Sequence, residues 1–334
     1  MQNAIKIVLI LALILILAVW VWFFLGTPKK AEKVTWGINF SLKQTEYLGL
    51  DSKEVYLAYL DDLKAKNIKI SVHWSLIEKD KGVYDFSDLD WQVKEAEKRN
   101  VKLILAIGMR TPRWPECHIP QWALNSSKEE QQTDITTLLE KIVSRYKDSP
   151  SLYAWQVENE SFLKFGACPW QDEDFLKKEV AYVKQLDQNK HPIIITDSGE
   201  ISLWWKSAQI GDMVGFTTYR RVWQDQLKFY FSYCNIYTPM FYYRRSELVK
   251  AMFDKKTMGV ELQAEPWCTN SITSTTIEEQ QKTMSLQYFK DNIEFAKATG
   301  IDTFYLWGGE WWYWMKTKQN HPEYWDEAKK VFAE

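Results

Sequence analysis

The chain's architecture can be read outward from Leu152-Tyr153-Ala154-Trp155-Gln156-Val157-Glu158-Asn159-Glu160. Six residues of mostly apolar, β-type character end abruptly in an acid, an amide and a second acid. A run that short, bounded by polar residues, reads as a strand buried on both faces. Seven more runs of the same kind occur along the chain. With Leu152–Val157 they are Val34–Phe40, Ile68–Trp74, Lys102–Ile107, Pro192–Thr196, Asp212–Thr217, Thr257–Glu261 and Asp302–Leu306. Amphipathic segments separate them, among them Ser52–Lys66, Asp90–Arg99, Thr133–Lys147, Asp172–Asp187 and Ile277–Thr299. Strands alternating with helices give parallel βα units. Eight units in about 300 residues fit a closed (β/α)8 TIM barrel, an α/β fold. A doubly wound open sheet is the alternative, but no G-x-G-x-x-G phosphate turn occurs.

The chain has 334 residues, with 46% hydrophobic and 26% charged residues, which excludes a disordered or disulfide-scaffold protein. Its net charge of -2 gives no electrostatic case for nucleic acid. Trp 18, Tyr 17 and Phe 16 make the chain unusually aromatic, and Trp outnumbers Gly. Flat rings with polar edges serve a large core or sugar stacking equally well.

Before the first strand, Ile7–Gly26 is wholly apolar, flanked by Lys6 and by Lys29, Lys30 and Lys33. It is long enough to cross about 30 Å of hydrocarbon. Its length, and Trp20, Trp22, Phe23 and Phe24 near its end, favour one uncleaved transmembrane helix over a removed signal peptide. The expected organisation is residues 1–30 as membrane segment and linker, and residues 31–334 as a catalytic barrel. The flanking lysines do not decide orientation. The chemistry below makes an extracytoplasmic body the expectation, anchored or secreted after cleavage.

Barrel chemistry sits at the C-terminal ends of strands. Read in order, those ends carry Asn39, His73, Arg110 to Trp114, Asn159 and Glu160, Glu200, Tyr219, Glu261 with Glu265, and Trp307 with Glu310. Two carboxylates across a barrel mouth suit glycoside hydrolysis. One protonates the leaving oxygen and the other attacks the anomeric carbon, with retention when they are about 5–5.5 Å apart.

The Asn159-Glu160 pair closing the fourth strand, Glu261 closing the seventh and Trp307 closing the eighth resemble clan A retaining (β/α)8 glycoside hydrolases. Those include family 5 cellulases and mannanases and family 42 β-galactosidases. Trp74 to Asp90, with the pattern W-x-x-I-E-x-x-x-G-x-Y-D-F-x-x-L-D, is similar to the segment after their second strand. The resemblance runs from about Val34 to the C-terminus. It implies Glu160 as general acid/base, Glu261 as nucleophile, Asn159 on the sugar 2-hydroxyl, Trp307 as sugar platform and Tyr219 steering the nucleophile. Two positions depart from the clan. Lys69 replaces a usual Arg and loses its bidentate fork, with Arg110 or Arg113 as possible substitutes. Thr217 replaces a frequent His.

Glu265 is a second candidate on the seventh strand, weaker than Glu261 because it lies in the following loop. Glu158 is expected to hold structure. Glu200 and Glu310 could line the cleft or be loop carboxylates in water. His73 and His118 could bind substrate or be structural. Trp114, Trp122, Trp170, Trp267, Trp311, Trp312 and Trp314 are expected in mouth loops, about half of them touching glycan. Phe229–Tyr243 is expected as a cleft wall or lid. No cluster has metal-ligand spacing, so no metal or other cofactor is expected. Four cysteines allow three pairings. Neighbouring loops favour Cys117–Cys168 and Cys234–Cys268, against free buried thiols.

The sequence therefore implies a membrane-anchored, monomeric retaining β-glycosidase acting on an oligo- or polysaccharide, endo-acting rather than a pocket exo-enzyme. The alternatives are a catalytically impaired carbohydrate-binding barrel, or a transglycosylase using the same residues.

Overall fold

A computed structural model describes residues 2–234 and 236–334. Its strands are β1 (Thr35–Phe40), β2 (Asn67–Ser71), β3 (Lys102–Ile107), β4 (Leu152–Val157), β5 (Ile193–Asp197), β6 (Met213–Thr218), β7 (Arg221–Gln224), β8 (Phe229–Ser232), β9 (Lys256–Gln263) and β10 (Thr303–Trp307). Eight of them close a barrel in the order β1-β10-β9-β6-β5-β4-β3-β2. Neighbouring barrel strands are parallel throughout. β7 and β8 form a separate antiparallel hairpin. All eight expected runs are barrel strands.

The runs form strands because both faces are covered. Inside the barrel, Ile104, Ala154, Ile194, Met213, Met258, Val260 and Tyr305 pack together. Outward-facing neighbours such as Leu103, Leu105, Ile193 and Ile195 join the larger layer beneath the helices. Gly37 on β1 leaves room for Tyr305, because a Cβ there would collide with its ring.

Helix boundaries differ from the sequence expectation where side chains compete for backbone donors. The helix Lys128–Tyr146 starts earlier than Thr133, because Ser127 and Glu130 form a capping box. Ile277–Thr299 divides into Ile277–Gln281 and Leu286–Ala298. The second begins where Ser285 accepts from the Tyr288 N–H at 3.1 Å. The helix from Ser52 to Leu57 passes into a π-turn at Ala58–Asp62, and Lys64 (φ 57°) turns the chain into β2.

Three expected mouth-loop tryptophans are core residues instead. Trp311, Trp312 and Trp314 lie in the helix Gly309–Lys318 and are buried. Trp311 Nε1 donates to Gln280 Oε1 at 2.8 Å, and Trp312 Nε1 to the Ala264 carbonyl at 2.7 Å. Phe229–Tyr243 divides into β8 and the start of the helix Pro239–Phe253. The N-terminal helix spans Gln2–Phe24. Among the described residues, its segment Ile5–Phe24 is the one long and apolar enough to cross a membrane.

Candidate active site

Glu160 reaches the mouth through a sharp end to β4. Glu158 and Glu160 both take left-handed backbone, φ 57° and 39°, a costly conformation for non-glycine residues that tends to cluster at functional sites. Glu158 turns away and accepts the Met109 and Arg110 N–H groups at 2.6 and 2.8 Å. Gly108 (φ 117°) makes that approach possible, since a Cβ there would strike the Glu158 carboxylate. Glu158 is thus a structural tie between β4 and the loop after β3. Asn159 and Glu160 face the mouth, with the Glu160 N–H donating to Thr196 Oγ1 at 2.8 Å.

Glu261 arrives from β9, opposite Thr217 in the register with β6. It accepts from Lys69 Nζ at 3.0 Å and from the Tyr219 hydroxyl at 2.8 Å. Lys69 and Glu261 are both buried. Lys69 therefore meets the carboxylate directly with a single contact. Arg110 and Arg113 do not substitute for a fork there. Arg110 donates to the Leu163 and Phe165 carbonyls at 2.8 and 3.0 Å and faces Glu116 at 3.7 Å. Arg113 pairs with Glu265 and Glu310.

One hydrogen-bond chain joins these groups. Lys69 Nζ also donates to Gln156 Oε1 at 3.2 Å, and Gln156 Nε2 donates to Asn159 Oδ1 at 3.1 Å. Asn159 Nδ2 then donates to Glu116 Oε2 at 2.9 Å. Fixing the carboxamide oxygen on Gln156 aims the amino end of Asn159 into the mouth. Glu116 was not singled out from the sequence. Its burial arises only when the loops after β3 and β4 meet. The adjoining Cys117 is the one sequence signal beside it.

The two mouth glutamates sit in different proton environments. Burial, then the charges of Glu261 and Glu116, hold the Glu160 carboxyl well above the usual range. Thr217 Oγ1, donating to Glu160 Oε1 at 2.9 Å, opposes this. So Thr217, in place of a frequent His, contacts the carboxyl group itself. Burial also pushes Glu116 up to about 7, against Arg110 and Asn159. Burial and the nearby Glu261 and Glu160 raise the Tyr219 phenol, which stays a donor.

A second group lies beside the first. The Arg113 guanidinium rests over the Trp307 ring at 3.9 Å from its centroid while holding Glu265 and Glu310. Arg113 belongs to the loop after β3, so its side chain crosses the mouth to residues after β9 and β10. Glu310 is fully buried and accepts from the Ser41 N–H at 2.7 Å, so it is not a water-facing loop acid. Glu200 is buried too, accepting from the Tyr219 N–H at 2.8 Å. His118 packs on His73, with ring centroids 3.9 Å apart, and its Nε2 meets the Arg113 carbonyl at 3.1 Å. Burial takes its pKa down to about 3, so it is a neutral support for the loop.

Aromatic rings run outward from Tyr219. Trp267 stands edge-on at 5.1 Å, Phe165 follows at 5.9 Å and Trp114 at 6.1 Å. Trp114 is 69% exposed. Trp122 and Trp170 are instead tied to Glu78 and Gln131. Cys117–Cys168 is a disulfide joining the loops after β3 and β4. The expected partner pair is not formed, and Cys234 and Cys268 are free thiols. The hairpin β7–β8 intervenes between their loops. Cys234 Sγ turns to the Arg220 carbonyl at 3.7 Å. Burial beside Glu265 and Glu279 pushes the Cys268 thiol up to about 12. Among the described residues, no group of His, Cys, Asp or Glu is placed to hold a metal ion.

Some known proteins resemble part of this chain's sequence, and others its fold. Mannan endo-1,4-beta-mannosidase F of Aspergillus fumigatus is 31% identical over 117 residues, 33% of this chain and 26% of the relative. A probable mannan endo-1,4-beta-mannosidase F of Aspergillus oryzae is 30% identical over 142 residues, 39% of this chain and 30% of the relative. The matched part thus spans under a third of these curated relatives. Among solved structures, a β-galactosidase of Halorubrum lacusprofundi superposes with a TM-score of 0.59 at 13% identity, covering 90% of this chain and 58% of that one. A GH5_18 protein of Streptomyces cattleya, solved with GlcNAc, gives 0.58 at 12% identity, covering 83% and 70%. At such identities the likeness establishes the shared barrel. The model of Glycosyl hydrolase family 10 matches residues 29–214, a span that contains Asn159 and Glu160 and ends before Glu261. That match covers more than half of the residues, and the chain belongs to glycosyl hydrolase family 10.

Proposed function

We propose that the barrel is a retaining glycoside hydrolase that cleaves β-linked oligo- or polysaccharides internally, with Glu261 as nucleophile and Glu160 as general acid/base. One observation carries the reading. Two buried glutamates end facing strands, and their surroundings treat them oppositely. Burial and like charge raise the Glu160 carboxyl well above the usual range, while Glu261 accepts from both Lys69 and Tyr219. A carboxyl raised by burial suits the acid, and a carboxylate held by two donors suits the nucleophile.

In the first step a Glu261 oxygen bonds to the anomeric carbon. The bond from that carbon to the leaving oxygen breaks, and the Glu160 proton passes to that oxygen. In the second step Glu160 takes a proton from water, water oxygen bonds to the anomeric carbon, and Glu261 is released. Asn159 would donate its remaining amide hydrogen to the sugar 2-hydroxyl. Tyr219 and Lys69 would keep the Glu261 carboxylate aimed. Trp307 would carry the sugar ring once the Arg113 side chain swings off its face. Trp114, Phe165 and Trp267 suit further sugar units along an open cleft. Arg110, His118 and Glu265 act through the loops they hold. Residues 1–30 would anchor an extracytoplasmic, monomeric body of residues 31–334.

The mannanase relatives make β-1,4-mannan the first polysaccharide to try. The test incubates the protein with β-mannan, β-glucans and aryl β-glycosides beside Glu261→Ala. Turnover by the unaltered protein alone is expected. Equal turnover by Glu261→Ala would remove Glu261 from the reaction. Binding without turnover by either would favour a carbohydrate-binding barrel.

A further inference from the structure

The apolar N-terminal helix does not stop clear of the barrel. The Phe24 ring stacks on Phe241 with centroids 4.8 Å apart, and Thr238 Oγ1 donates to the Phe24 carbonyl at 3.2 Å. The Arg244 guanidinium lies over Trp22 at 4.8 Å. Thr238 and Phe241 begin the helix Pro239–Phe253. A helix that follows a barrel strand starts at the C-terminal face, where the mouth is. The contacts agree. Tyr242 donates its hydroxyl to Glu200 at 3.2 Å, Glu200 accepts the Tyr219 N–H, and Tyr219 holds Glu261.

From Phe241 a ladder of rings climbs into the hairpin β7–β8. Tyr237 lies 5.0 Å from Phe241, Tyr233 5.7 Å from Tyr237, Phe231 4.7 Å from Tyr233 and Phe229 5.9 Å from Phe231. At its end Leu227 is 68% exposed, with Phe229 and Ile236 also exposed. The loop after β5 is fastened to the same helix, because Arg245 donates to the Gly199 and Ser202 carbonyls. That loop exposes Ile201 and Leu203. Single exposed apolar residues are ordinary. A group of them on one rim of the mouth, continuous with an apolar helix that could cross a bilayer, is not.

We propose that the β7–β8 hairpin and the loop after β5 form a second membrane contact, seated in the lipid headgroup layer beside the anchor. The occupant is the bilayer rather than a protein. The surface is an extension of the membrane helix through a run of neighbouring rings, stacked at Phe24–Phe241–Tyr237 and edge-on or tilted beyond. Tyr, Phe and Trp are the side chains that settle at the membrane–water interface. The mouth is then held next to the bilayer, and the glycans it meets are those lying at or joined to the membrane surface. This rests on the anchored-glycosidase reading and adds the substrate's location to it.

The test uses the full chain with Cys234→Ser and Cys268→Ser, and one fluorophore attached through Leu227→Cys. A control carries it through Lys98→Cys, at the exposed opposite end of the barrel before β3. Each is reconstituted in phosphatidylethanolamine–phosphatidylglycerol vesicles with and without lipid bearing a nitroxide near the headgroup. Quenching several-fold stronger at position 227 than at 98 is expected. Equal quenching at both positions, in protein that survives an alkaline wash of the vesicles, would overturn the second contact and leave the surface for another partner. Protein that washes off would overturn it together with the anchor. Turnover of a soluble glycan by the same vesicles reports the glycosidase reading separately.

Discussion

Glu160 is acted on by burial and by two like charges in one direction, and this fixes the sign of its pH dependence. A general acid must carry its proton, so activity falls as pH rises through the Glu160 pKa. Glu116 contributes to that raised value. Glu116→Gln keeps an acceptor for Asn159 but removes the charge. It is therefore expected to move the alkaline limb of the kcat/KM profile to lower pH, whereas an unmoved limb would make Glu116 a packing residue. Glu160→Ala should lower kcat about 10²–10⁴-fold on a substrate with a poor leaving group, and far less on an aryl glycoside whose leaving group needs no proton. Equal losses on both would remove the acid role. Behind the site, Glu158 and Glu179 face each other in the interior, and burial raises both, Glu158 to about 7. Their folded pKa values exceed the unfolded ones, so their contribution is full at acid pH and declines as pH rises from the ordinary carboxylate range towards 7. Glu179→Gln should shrink the fall in Tm between pH 5 and pH 8. These residues differ in how readable they were. Asn159 and Glu160 stood out because a strand ended on them. Glu116 sits in a turn without periodicity, and its proximity to both mouth glutamates depends on two loops meeting.

The loop after β3 is the element that shapes the mouth. Arg110 and Cys117 pair across it as an isolated bridge, and the Thr111 N–H donates to the Glu116 carbonyl at 3.0 Å. This tight turn sends Glu116 and Arg113 inward and Trp114 outward. Cys117–Cys168 ties it to the loop after β4 across 51 residues of sequence. A disulfide of that span contributes about 2–4 kcal/mol, chiefly by restricting the unfolded chain. Cys117→Ser with Cys168→Ser should therefore lower Tm by several degrees and raise KM more than it lowers kcat. An unchanged KM would show that the turn is held without the bridge. Strands were legible because a chain buried on both faces has to be apolar throughout, and β3 and β4 begin and end where their runs do. Trp311, Trp312 and Trp314 were not, because a cluster of tryptophans reads alike in a loop and in a buried helix. Pairing Cys234 with Cys268 from loop adjacency failed because adjacency ignores an inserted hairpin.

For the whole molecule, the closed barrel puts every strand end at one mouth, and a helix long and apolar enough to cross a membrane packs against the helix Pro239–Phe253 beside it. The helix, the strand count and the mouth were all present in the order of apolar runs along the chain. The seating of Phe24 on Phe241 was not, since nothing in either segment specifies the other. Removing residues 1–30 uncovers Phe241 and takes Phe23 and Phe24 off the outer layer, yet removes no residue packed inside the barrel. The body 31–334 is expected to keep its secondary structure by circular dichroism and to turn over soluble glycan undiminished. Loss of the fold would make the N-terminal helix part of the core. Trapping shows whether Glu261 is the nucleophile of a double displacement. The protein is incubated with activated 2-deoxy-2-fluoro β-glycosides, mannosyl first, and the labelled peptide is mapped by mass spectrometry. One sugar on Glu261, absent from Glu261→Ala, is the predicted result. Turnover of the parent glycan with no adduct, or an adduct on Glu265, would contradict it.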